Sequence, residues 1–400
     1  MIGLTIPGST VCLRIGGYAT AEFSTGNLSK QYGLAFVGTP GSSMVTSGAL
    51  LSNSQRDAIG FDSRAQIDFD ARQNTAYGPL RSYIEVLSTY GTGFENPGVS
   101  TVLNLGFVQW AGLTAGKDGS FFSYLAGGPS WYDFFSPDRY NGNQPELIAY
   151  TATFGQASAT LSLEEPTGAE VNGPIDGGFT NAYNGIHFPD FVGALRIDSG
   201  WGSAQLSGVA HNTRVVGVSG DTLDKWGGAA LAGVTYNLPQ IAPGDKLTGQ
   251  AVYSYAALGY SGISNTAWSP YDQGFNINGN GTIFQLTDAL NYDTGVWAFP
   301  TTWTFSGFFE HHFTPRFSLI PQISYAVVDY SGSPVMISAH AQSVMVGGTA
   351  HYIPVPHLDL QLGVMYQSTQ EATPVSYIGP APFQSHASGI ATSFQIVRDF

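Results

Sequence analysis

Between Lys117 and Tyr150 the chain places four carboxylates, Asp118, Asp133, Asp138 and Glu146, among eight large rings, Phe121, Phe122, Tyr124, Trp131, Tyr132, Phe134, Phe135 and Tyr140. Left in water, each ring would forfeit roughly 1.5–3 kcal/mol of burial. The carboxylates need water or cations in the same place. Both demands are met by an inward-folded loop over about 118–146 that lies between an apolar wall and a water-filled passage. Five of the fourteen basic residues, Arg14, Arg64, Arg72, Arg81 and Lys117, fall on the strand-like segments before this loop. Acids on a loop facing arginines across a narrow aqueous gap make a transverse field. Such a field orients dipolar solutes and repels ions of one sign without making or breaking a bond. The bland alternative puts some of these arginines at a membrane rim and some of these acids in local ion pairs.

Bond-making chemistry is poorly served. His311 and His312 are adjacent and point to opposite faces of a strand. His340, His351, His357 and His386 have no nucleophile motif beside them, and the chain contains no GxSxG. The single cysteine, Cys12, excludes an intramolecular disulfide and any CxxC metal site. The Asn276–Gly281 stretch lacks the carboxylate series of a calcium loop and reads as a Gly/Asn loop. No cofactor, metal or enzymatic activity is expected. The formal charge of −14 argues against nucleic acid as a partner.

The elements that must carry such a loop follow from composition and period. Charged residues are only 10% of the chain, far below the ~25% of a soluble domain, while it has 51 glycines and 13% aromatics. No apolar run approaches ~18 residues, so the way left to cross a bilayer is a closed barrel of alternating strands. The 59–72 segment shows that alternation: Ile59, Phe61, Ala65, Ile67, Phe69 and Ala71 have one parity, and Asp62, Arg64, Gln66, Asp68, Asp70 and Arg72 the other. The same reading gives strands near 11–23, 80–89, two within 102–117, then 147–154, 157–164, 190–198, 202–211, 226–237, 246–257, 302–312, 316–329, 342–353, 358–367 and a last one ending at Phe400. About sixteen strands, seven short turns and eight long connections result, with both chain ends on the short-turn side. An all-β transmembrane antiparallel barrel over residues 1–400, with an inward-folded third loop, is the fold predicted.

Several segments carry a resemblance. IPGSTVCLRIGGYATAEF (6–23), FDSRAQIDFDARQNTAYGPLRSYIE (61–85), ELIAYTATFG with ATLSLEE (146–165), YNLPQIAPGDKL (236–247), FEHHFTPRFSLIPQISYAVVDY (309–330) and the closing FQIVRDF (394–400) resemble, in order, the alphaproteobacterial general porins of the rhizobial type. The terminal Phe400 is similar to the C-terminal assembly signal of outer-membrane barrels. The resemblance implies a homotrimer in the bacterial outer membrane, in contact with membrane lipid and lipopolysaccharide. It also implies diffusion of small hydrophilic solutes and ions past a third loop whose acids face basic wall residues. A substrate-selective channel, or a surface adhesin or receptor using the long loops, stays open as the alternative. No signal peptide precedes the first strand, so export implies that a leader has been removed.

Overall fold

The computed structural model describes residues 4–5, 8–26, 58–93, 98–125, 144–166, 172–175, 178–181, 185–216, 222–262, 288–291, 297–331, 339–373 and 383–400. Sixteen strands form a closed antiparallel barrel. They are β1 (Cys12–Gly26), β2 (Ile59–Thr75), β3 (Gly78–Gly93), β4 (Gly98–Trp110), β5 (Leu113–Lys117), β6 (Glu146–Phe154), β7 (Ala157–Glu164) and β8 (Asp190–Ser199), then β9 (Gly202–Val216), β10 (Thr222–Asn237), β11 (Lys246–Tyr255), β12 (Trp297–Thr314), β13 (Phe317–Ser331), β14 (Ala339–Val355), β15 (Leu358–Thr373) and β16 (Phe383–Asp399). Each pairs with its neighbour in sequence, and β16 also pairs with β1, from Tyr18 opposite Asp399 to Gly26 opposite Ala391. Closure removes every free strand edge, which a bilayer demands. Phe400 seals the seam. Its amide donates to the Gly17 carbonyl at 3.0 Å. Its ring lies against Gly17, where a Cβ would stand 2.1 Å from the Gln66 carbonyl oxygen and where φ is +154°. Only glycine fits there.

Strand parity sorts the residues in the sense opposite to a soluble sandwich. Ile67, Phe69, Ile84, Leu319, Ile323, Tyr325, Leu362, Val364 and Ile396 are all exposed on the outer face, as their parity predicts, while Leu360, of the same parity, is half-buried. Residues of the other parity face inward, where Ser24, Thr302, Ser324, Gln322 and Gln395 are buried. Aromatic rings gather toward both ends of the outer face, as at membrane–water boundaries. Tyr77, Trp110, Phe154, Trp201 and Tyr236 stand near the short turns, with Trp201 and Tyr236 stacked at 6.3 Å. Tyr90, Trp226, Tyr253 and Trp303 stand toward the other end, with Tyr253 and Trp303 at 4.5 Å.

Some details depart from the sequence expectation. The long connection after β11 opens with a 3₁₀ turn, Leu258–Ser261. It also contributes Leu290–Asn291 as a partner to β12, so β12 begins at Trp297 rather than near 302. The glycine-rich stretch before β8 holds a two-stranded hairpin, Asn172–Ile175 with Gly178–Asn181. Asn276–Gly281 lies outside the described residues. β5 has five residues where β3 has sixteen. The third connection therefore leaves the wall far nearer the short-turn end than its neighbours do.

Candidate functional site

The inner face of β1–β3 carries four arginines, Arg14, Arg64, Arg72 and Arg81, and five carboxylates, Glu22, Asp62, Asp68, Asp70 and Glu85. Register sets like charges directly opposite one another: Glu22 against Asp62, Asp68 against Glu85, and Arg72 against Arg81. Such pairs repel when alone, and each is relieved by a diagonal neighbour. Asp70 lies between the two arginines, accepting from Arg72 Nε and Nη2 at 3.0 and 2.7 Å and from Arg81 Nε and Nη2 at 3.0 and 3.2 Å. Arg81 also donates to Gln109 Oε1 at 3.1 Å and rests on the Tyr83 and Phe107 rings, 4.9 and 5.2 Å from their centres. Arg64 hydrogen-bonds to Tyr18 within the field of Asp62 and Glu22. Asp68 stands in the field of Glu85 and Arg14, while Glu85 accepts from Tyr83 at 2.8 Å and from Asn104. The charges are thereby compensated laterally in a nearly neutral ladder, with Glu22, Asp70 and Glu85 buried among their partners and Arg14 and Arg72 exposed on the inner face.

Across the lumen, the first residues of the third connection lie on β7–β10. Ser120 Oγ donates to Glu164 Oε2 at 2.6 Å, and the Phe121 amide donates to Glu164 Oε1 at 3.0 Å. Gln205 Nε2 lies 3.2 Å from the carbonyls of Phe121, Phe122 and Ser123, and Ser207 Oγ donates to the Phe122 carbonyl. Phe122 is fully buried in an apolar cluster with Val192, Val209, Leu231, Val252 and Tyr260, and its ring meets Tyr260 edge-on at 4.9 Å. Tyr124 lies on Gly233, its hydroxyl 2.7 Å from both Ser203 Oγ and Thr235 Oγ1. Beside this cluster, His211 Nδ1 is 2.7 Å from Asp190 Oδ1 and Nε2 is 3.4 Å from Asp288 Oδ2. Tyr260 donates to Asp190 and the Leu258 amide donates to Asp288. The turn after β11 is thus tied to the same wall.

The residues singled out from sequence separate into groups. Arg14, Arg64, Arg72 and Arg81 share the inner parity of their strands. Asp118 continues the inner parity of Thr114; burial pushes its carboxyl up, while the Gly119 amide and the Arg81 charge pull it down. Lys117 and Glu146 are register partners with the parity of the outer residues Leu113, Ile148 and Tyr150, and Lys117 Nζ donates to the Gln144 carbonyl. Asp133 and Asp138 lie outside the described residues, as do Trp131, Tyr132, Phe134, Phe135 and Tyr140. Sequence reading missed Glu164, Gln205, Ser207 and Gly233, the wall side of the loop contact. A charged or amide residue at an inward strand position was the available signal. The histidines 311, 340, 351 and 357 each sit beside an aspartate, at 2.6 to 3.0 Å, rather than beside a nucleophile.

A sixteen-strand barrel with an apolar exterior, two aromatic belts and a charged, polar interior is an outer-membrane β-barrel. The chain matches the porin subfamily over residues 3–390 and belongs to that family. Porin Omp2b of Brucella melitensis is 27% identical over 229 residues, 53% of this chain and 54% of its own length. The chain thus spans about half the length of the curated relatives it matches. Among solved structures, the outer membrane channel DcaP of Acinetobacter baumannii superposes with a TM-score of 0.65 at 13% identity, covering 100% of both chains. Outer-membrane-expressed OmpT of Vibrio cholerae superposes with a TM-score of 0.53 at 10% identity, covering 99% of both. These likenesses at low identity speak for the shared barrel fold, and the family match places the chain in the outer membrane.

Proposed function

We propose that the chain is a general diffusion porin, a single barrel domain over residues 1–400 that passes small hydrophilic solutes and ions through a water-filled lumen. The observation that carries this is the lining. Sixteen strands turn their polar parity inward, and a barrel of this size leaves an aqueous passage open. The third connection, about 118–146, narrows that passage, with Asp118, Asp133 and Asp138 facing the arginine-bearing wall of β1–β3. Glu146 and Lys117 flank its two ends. The β5 strand of five residues and the contacts of 120–125 with β7–β10 support this placement.

The protein works as a homotrimer, which the family supports, with lipid and lipopolysaccharide around the rest of its outer face. Cations are weakly preferred, because the wall's four arginines meet five wall carboxylates before any loop acid is counted. Reconstitution into planar bilayers tests the reading: stepwise ohmic conductance is expected, and a barrel that inserts without conducting would overturn it. An adhesin using its long loops would give that second result.

A further inference from the structure

We infer that Tyr124 and Gly233 form a clasp that sets where the third connection enters the lumen, and with it the width of the channel. The inference rests on the porin reading and adds the residues that position its narrowing element. Gly233 lies at an inward position of β10, between Leu231 and Thr235, opposite Gln205 on β9 and Gln250 on β11. A Cβ there would stand 2.3 Å from Tyr124 Cδ1, 2.4 Å from Cγ and 2.8 Å from Cβ. These separations are far inside van der Waals contact, so the glycine is what lets the ring lie flat on the wall.

The Arg196 guanidinium also lies over the ring, its central carbon 5.3 Å from the ring centre. Asp198 holds that guanidinium with Nε–Oδ2 and Nη2–Oδ1 contacts of 2.9 Å each. The phenol ends between Ser203 Oγ and Thr235 Oγ1, both at 2.7 Å. The Gly233 backbone, a cation over the ring and hydroxyls at the tip define one ring orientation. Tyr124 is seven residues beyond the end of β5, so fixing it fixes the direction in which the rest of the connection sets out. A stacked cation and a buried hydroxyl are specific contacts that a merely greasy side chain would not satisfy.

Gly233→Val places a strand-forming side chain in the space the ring occupies. It should leave barrel assembly intact and raise single-channel conductance. Tyr124→Ala should raise it similarly. The double variant should match either single variant instead of adding to it, because both act through one contact. A merely structural role would lower assembly or heat stability without widening the channel.

Geometry is checked separately in a Cys12→Ser background, where Tyr124→Cys with Gly233→Cys should cross-link on oxidation and shift gel mobility. Failure to cross-link would overturn the contact. Cross-linking together with unchanged conductance in Gly233→Val would overturn its control of width while leaving the porin reading in place. Absence of conductance in the parent protein would instead remove the porin reading itself.

Discussion

The inner faces of β1–β3 and of β7–β10 are built from the same alternation yet face water differently. On β1–β3 four arginines and five carboxylates compensate one another sideways, with Glu22, Asp70 and Glu85 buried among them and Arg14 and Arg72 exposed on the inner face. On β7–β10 the inward positions about residues 120–125 include Thr160, Ser162, Ala194, Gln205, Ser207, Leu231, Gly233 and Thr235, and the carboxylates among them are held by partners: Glu164 by Ser120 and the Phe121 amide, Asp190 by His211, and Asp198 by Arg196. This wall can be covered because its charged groups have partners of their own and its remaining polar atoms find partners on the incoming backbone. Covering the ladder of β1–β3 would bury Arg14 and Arg72 as well, and burying a charge costs several kcal/mol. The chain thus has one side fit to be docked upon and one side fit to stay wet. The two walls differ in the density of their charge.

The largest test concerns the alternation on which both walls depend. Ile67→Arg puts a charge on the lipid face and should cost roughly 2–4 kcal/mol, seen as lost assembly, whereas Gln66→Arg on the inner face should assemble normally. Equal assembly of the two would show that the register of β2 is wrong. Next in size, deleting residues 127–142 should raise conductance, since it removes most of the connection while leaving the docked root. An unchanged conductance would mean that the connection does not narrow the lumen.

The ladder is probed by Asp70→Asn. This removes the charge that Arg72 and Arg81 share and weakens charged hydrogen bonds worth about 1.5–3 kcal/mol each. The reversal potential in a salt gradient should move toward anion preference. Asp133→Asn with Asp138→Asn should move it the same way if those acids face the ladder. If Asp70→Asn leaves selectivity untouched, then the wall charges lie outside the ion path and the contrast between the two walls has no electrical consequence.

The barrel itself was written in period two. Ile67, Phe69 and Ile84 could be assigned outward because one slipped residue would flip a whole strand, so parity is an all-or-none signal. The arginines on β1–β3 were legible for the same reason. The docking wall was not, because its logic lies between strands distant in sequence. Nothing local to Gly233 says that Tyr124, 111 residues away from its Thr235 partner, will need the space above it. By parity Glu164 is one more inward carboxylate, and only the fold brings two donors from the third connection to it. Lys117 shows the limit of counting charges: its type fitted the arginine group, but its parity is that of Leu113, and its ammonium is tied to the returning end of the connection. Position on a strand decided what residue type alone could not.

The smallest effect expected lies at the rim, outside either wall, and separates the electrostatics of the lumen from those of the turns. Asp245, in the turn between β10 and β11, is closed off from solvent. Burial works to raise its pKa, but the His312 amide at 2.8 Å and the His311 imidazole at 2.6 Å outweigh that and hold the carboxyl below its ordinary 3.8. A carboxyl depressed in the folded state contributes stability above its unfolded pKa and loses it as pH falls through the lower folded value. The turn should therefore stabilise the assembled barrel fully at neutral pH and progressively less below 3.8. Heat stability of the parent and of Asp245→Asn should differ most at neutral pH and converge as the medium is acidified, with conductance and selectivity the same in both. A gap that widened on acidification would reverse the sign of this argument, and a change in selectivity would show that the rim turn reaches the ion path.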